Sequence, residues 1–300
     1  MDRQKVIGLV ALCTTLCCGL ITAAHYAQVP RSSSDLLKLS RQSTTDLEVD
    51  GLMVGVPASS RRFITYQDLL GLPQVTATIT GDENFTAMHT PTVQVTGVYL
   101  SALARHIGVS RDADLLNAIC EDHYKAPYPA DYLAAHQPIL VLKINGQTAV
   151  EWARQTHNED PGPYLITQAN FVPSYSILAQ EERAQVPTEV VSIEFARQKD
   201  VFAAITPLGH FASTSAEMKG FGIARQDCLR CHNNGSVGGT KAGRSWSVLS
   251  KRASEDPMSF ARYVQDPQSV DGQAKMPPNP QYDAATLGAL TAYFKSFSGK

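Results

Sequence analysis

The sequence predicts an α+β chain in two folded parts, a β-rich one over residues 46–200 and an all-α one over residues 205–300. Two observations carry this reading. Runs of alternating apolar residues dominate the first part with no βαβ rhythm, and apolar residues at three-and-four spacing dominate the second. At 300 residues the chain is long enough for about two cores.

Composition narrows the function classes. An apolar fraction of 43% and a charged fraction of 18% fit a globular protein with a sizeable core. The net charge of -2, with no long run of one sign, speaks against nucleic acid as a partner. The N-terminus is different: Arg3 and Lys5 precede an uncharged run from Val6 to Ala24, after which the chain turns polar. That pattern is an export signal. It leaves two outcomes open, a signal peptide of residues 1–30 cleaved near Thr22-Ala23-Ala24, or a retained anchor through residues 6–24, since ~20 apolar residues can cross a bilayer. Either places the protein outside the cytoplasm, in a periplasm-like compartment, free or anchored. Residues 31–45, rich in Ser and Thr, read as a tether.

In the first part, "QVTATIT" puts Val75, Ala77 and Ile79 on one strand face. "GVYLSALARHIG" spaces Leu100, Leu103, Ala104 and Ile107 as a helix that Gly108 stops. "PILVLKINGQTAV" is a buried strand entering an Asn145-Gly146 turn, a hairpin signal. "TEVVSIEFA" alternates again, with Val191, Ile193 and Phe195 to one side. In the second part "SAEMKGFGIARQD" and "DPMSFARYVQDP" read as helices. "YDAATLGALTAYFKSF" is a terminal helix with Leu287, Leu290, Phe294 and Phe297 on one stripe.

The chemistry lies in "QDCLRCHNNG". Cys228 and Cys231 are three apart and His232 follows at once, the C-x-x-C-H pattern by which two thiols attach a c-type haem and the next imidazole reaches its iron. The bland alternatives are a chance match or half a zinc site, and no Cys or His follows position 232 to complete the latter. Removing the leader leaves Cys120, Cys228 and Cys231, an odd number and a poor disulfide framework for an exported protein. An electron-transfer haem needs a second axial ligand, and Met276 in "QAKMPPNP" offers a soft donor on a proline-stiffened loop. Met258 and His210 compete for that place. Met258 falls within a helix, and His210 precedes the attachment motif.

With these residues in view, residues 205–300 resemble a class I cytochrome c domain: a helix before "CLRCH", the "KMPP" loop and the aromatic-bearing terminal helix. The resemblance implies that the first and last helices cross beside the haem, that Cys228 and Cys231 form thioethers, and that His232 and Met276 ligate iron. Residues 46–200 resemble, through "ITYQDLLGLPQVTATITG", "VTGVYLSALARHIGV", "EDHYKAPYP" and "PILVLKINGQ" in that order, the molybdopterin-binding domain of the sulfite oxidase family. That family ligates molybdenum through a cysteine after the strand that follows the "LP" turn. Gly81 stands there, which counts against an active molybdenum centre. Cys120 is the thiol left to substitute for it, though a lone cysteine after an apolar run reads as a buried small hydrophobe.

Three functions fit. The first is an exported c-type cytochrome that carries single electrons to an unidentified redox partner protein, its front part docking or sensing. The second is a two-centre oxidoreductase in which a molybdopterin-type site feeds the fused haem. The third is a haem-based sensor with a displaceable Met276. The first needs only the residues already named. His89, His106, His123, His136 and His157 take no assigned role.

Overall fold

The computed structural model describes residues 33–169 and 185–297. Residues 1–32, with the stretch read as an export signal, and part of "THNEDPGPYLITQANFVPSY" lie outside the described residues. The fold is mixed α+β. Its front half runs α1 (Ser33–Leu36), β1 (Leu47–Gly51), β2 (Arg62–Ile64), α2 (Tyr66–Leu70), β3 (Val75–Thr80), α3 (Glu83–Ala87), β4 (Thr92–Tyr99) and α4 (Leu100–Ile107). There follow β5 (Leu115–Cys120), β6 (Lys125–Pro129), α5 (Ala130–His136), β7 (Ile139–Ile144), α6 (Ala149–Thr156), β8 (Leu165–Thr167), β9 (Val190–Ala196) and α7 (Gln198–Ala203).

The strands form two sheets, ordered β2-β1-β9-β5-β6 and β3-β4-β7-β8. One core joins them: Leu47 and Val49 from β1, Leu103 from α4, Leu140 and Leu142 from β7, and Ile193 and Phe195 from β9. A second core lies on the other face of the smaller sheet, where Ile79, Val93, Val95 and Ile144 meet Trp152 of α6 and Phe85 of α3. Ile79 is fully buried with Val75 and Ala77 beside it, and the threonines between them are exposed, as alternation requires.

Three expectations change. The tether is docked over its described part: Leu36 is buried, Lys38 and Phe63 exchange backbone hydrogen bonds at 2.8 and 3.0 Å, and the Asp46 carboxylate caps the Gln42 and Ser43 amides. Ser/Thr content hid a few anchoring residues. The Asn145-Gly146 turn forms, with φ of 49° and 83°, but no strand returns. Thr148 and Glu151 close a capping box two residues later and start α6 instead. In β9 the pairing with β5 shifts between Ile119 and Cys120, and the extra residue is Val191. Val190 therefore joins Ile193 and Phe195 in the core, and Val191 lines a cleft.

Past α7 the chain is helical. It comprises α8 (Ala216–Ile223), which continues through one π turn to Cys228, a β10–β11 ribbon (Asn233–Asn234 and Val237–Gly238), α9 (Trp246–Glu255), α10 (Pro257–Gln265), α11 (Pro267–Val270) and α12 (Ala284–Lys295). α8 and α12 cross closely because Gly220 lacks a side chain. A Cβ there would sit 2.1 Å from the Ala289 carbonyl oxygen and 2.6 Å from Tyr293 Cβ. Trp246, Tyr293 and Phe294 interlock at ring separations of 5.0 to 6.2 Å, and the indole donates to the Tyr293 hydroxyl at 3.1 Å. Each such buried aromatic contributes about 2–3 kcal/mol. This third core takes in Leu115 of β5, so the helical part packs directly on the larger sheet. Among the described residues no helix is long and apolar enough to cross a membrane.

Candidate functional site

The π turn delivers Cys228 into a tight reverse turn in which the amides of Cys231 and His232 both donate to the Cys228 carbonyl, at 3.2 and 2.9 Å. The segment from Val237 to Ala242 folds over this turn. The Gly239 amide donates to the Leu229 carbonyl at 2.8 Å and that of Ala242 to the Cys231 carbonyl at 3.0 Å. Such an approach needs glycine, because a Cβ at Gly239 would lie 1.8 Å from the Arg230 carbonyl oxygen.

His232 is buried, and its Nδ1 lies 2.8 Å from the Arg244 carbonyl oxygen. A carbonyl only accepts, so Nδ1 carries the proton and Nε2 keeps its lone pair. Burial pushes the imidazole below its usual range, which keeps it neutral and fit to bind a metal. Cys228 and Cys231 are half-buried and in no disulfide, and burial pushes the Cys231 thiol up.

Cys228 and Met276 pack against the same core, the one built on Trp246, Tyr293 and Phe294. The Met276 loop is braced from beneath. Gln268 Nε2 donates to the carbonyls of Ala274 and Met276, each at 3.0 Å, and buried Asn279 Nδ2 donates to Val264 at 2.9 Å. Met258 and His210, the other two ligand candidates from the sequence, lie at the surface: Met258 is 83% exposed, and His210 is exposed as well.

Sequence reasoning passed over the partners of the motif. Arg230, its second intervening residue, is buried and donates to the Tyr124 hydroxyl at 3.0 Å. Asp227 faces it at 3.6 Å, and Tyr282 donates to the Asp227 carboxylate. The Arg230 carbonyl accepts from Lys125 at 3.0 Å, so the turn after β5 touches the motif directly. Long-range pairs of this kind leave no local signal. A charged residue inside a compact C-x-x-C-H turn was the available hint.

At the front, Gly81 follows β3 at φ 78° and offers no ligand. The next residue, Asp82, is buried. Its carboxylate accepts from Thr167 at 2.5 Å and from the Asn84 amide at 2.9 Å, so its oxygens serve as a helix cap and a sheet tie. These residues do not fit a thiolate-bound molybdenum. Cys120, the other thiol of the front part, is buried in the front core at the edge of a cleft, and burial pushes it up to about 12. The described residues do not contain a group of three or more His, Cys, Asp or Glu set to hold a metal ion. The larger sheet does carry a cleft of about 460 Å³, lined by Arg41, Arg61, Lys125, Glu48, Asp50 and Glu194 among others. His123 lines the same cleft.

No protein-family model matches the chain, and no curated protein does. Among solved structures there is weak similarity to the sulfane dehydrogenase SoxCD from Paracoccus pantotrophus, at 16% identity and a TM-score of 0.33. The match covers 57% of this chain and 44% of that one, so the chain spans less than half of that structure.

Proposed function

We propose that the chain is an exported c-type cytochrome that carries single electrons through one covalent haem. In this reading residues 205–300 are the cytochrome c part. Residues 46–200 are a sulfite oxidase-like part without molybdenum, used for docking or sensing. The observation that carries the reading is the Cys228–His232 turn, whose imidazole is oriented by the Arg244 carbonyl and whose first thiol shares a core with Met276.

The residues fit the group. Cys228 and Cys231 would hold haem through thioethers, and His232 and Met276 would bind its iron. Bound there, haem supplies a one-electron couple whose potential methionine ligation raises. The chain's own work is to hold His232 in one tautomer, to brace the Met276 loop through Gln268 and Asn279, and to keep water from the aromatic core. A fixed, dry setting of this kind limits reorganisation as charge moves. Export and placement outside the cytoplasm rest on the N-terminal sequence pattern, and the redox partner is a protein of that compartment or its membrane.

Met276→Ala tests the ligand set. The oxidised protein loses its near-infrared methionine-to-iron band while covalent haem remains. An unchanged band would remove Met276 from the iron and reopen the sensor reading.

A further inference from the structure

The buried pair of Arg230 and Asp227 does more than fill space. Their side chains are 9% and 7% exposed, and they join segments far apart in sequence. Tyr124, in the turn between β5 and β6, accepts from Arg230 Nη1 at 3.0 Å, while Nε donates to the Gln226 carbonyl and Nη2 faces Asp227. Asp227 in turn accepts from Tyr282, a few residues beyond Met276. The backbone follows the same path. Lys125 donates to the Arg230 carbonyl at 3.0 Å, and Thr240 to the His123 carbonyl at 3.3 Å. Lys241 closes the rim, pairing with Asp122 and lying 5.8 Å from the Tyr124 ring centre.

A guanidinium taken out of water needs its donors met, and a lost hydrogen bond to a buried charge costs more than one to a neutral group. Tyr124 is the partner that comes from the front sheet. We propose that Tyr124 is a positioning residue for the iron-binding segment. By holding Arg230 against Asp227, and through Asp227 Tyr282, it fixes the turn bearing His232 relative to the loop bearing Met276. The front part is thereby built into the redox site. The inference rests on the proposed haem reading.

The test uses full-length protein matured with covalent haem. Cyanide competes with methionine for ferric iron, so its affinity reports how firmly Met276 is held. Tyr124→Phe keeps the ring and loses the hydroxyl. It raises cyanide affinity about tenfold, the effect expected for losing one hydrogen bond to a charged group, and lowers the midpoint potential, with haem content unchanged. Arg230→Gln acts in the same direction. Tyr164→Phe is the control: that buried hydroxyl donates to the Thr45 carbonyl at 2.6 Å, away from the motif, and its loss leaves cyanide affinity unaltered. Equal responses from the Tyr124 and Tyr164 variants, or none from either, would overturn the inference and leave the cytochrome reading standing. Wild-type protein without covalent haem would overturn both.

Discussion

Asp50 shows how one residue's surroundings set a measurable dependence on pH. It lies on β1 beside the cleft, with Glu194 as its cross-strand neighbour on β9 and Glu48 two positions away. Burial first, and then these two carboxylates, push it up to about 6. In the unfolded chain it titrates near 4. The fold therefore favours the neutral form, so the stability linked to Asp50 is fully present below about 4 and is lost as pH rises through about 6. Asp50→Asn removes that loss. Denaturant titration at pH 7 is expected to show a gain on the order of 1 kcal/mol, discounted for solvent in the cleft, and near pH 3.5 almost none. A variant that gains equally at both values would show that the neighbouring charges play no part. Residue-scale roles divide sharply by legibility. Cys228, Cys231 and His232 stand out in the sequence by their spacing, and the haem role proposed for them rests on it. Arg230 and Tyr124 become visible only when the chain has folded, because their partnership spans the β5–β6 turn and the motif.

At the scale of elements, the α8–α12 crossing is the joint on which the helical part depends. Gly220 lets the helices approach, and Tyr293 and Phe294 fill the space beside them. Gly220→Ala gains about 1 kcal/mol of helix propensity but forces backbone apart, at a cost of about 1–3 kcal/mol or more. A lower melting temperature of the haem-loaded protein is the expected result, and an unchanged or higher one would mean the crossing is loose. The stripe of Leu287, Leu290, Phe294 and Phe297 was legible from spacing. The crossing face, Ala289 and Tyr293 against Gly220, was not, because helical periodicity does not say which neighbour a second face will meet. The same limit explains β9, where a bulge moved Val190 inward and Val191 to the cleft. It explains the Asn145-Gly146 turn too, which a capping box two residues later diverted into α6. Local patterns name the element, and tertiary pairing decides how it ends.

Over the molecule as a whole, the described residues 33–169 and 185–297 are linked in packing, with Leu115 and Ala196 of the larger sheet feeding the helical core. The sequence changes pattern near residue 200; among the described residues the larger sheet's last strand ends at Ala196, and helices with the short β10–β11 ribbon follow. The sequence was silent on the contact across that boundary, where Tyr124 and Lys125 meet Arg230 of the C-x-x-C-H turn and His123 accepts from Thr240 beyond it. An α+β class was readable because alternation and helical spacing are local. The docking of residues 33–45 was not, because Leu36, Lys38 and Asp46 are scattered in a polar stretch. The most direct test of the central claim is the covalent haem content of full-length protein produced with haem maturation machinery and a molybdenum supply. The account predicts one iron per chain that survives acid extraction, no molybdenum, and loss of the bound haem in the double variant Cys228→Ser/Cys231→Ser. Wild-type protein that carries no covalent haem, or that carries stoichiometric molybdenum, would contradict it.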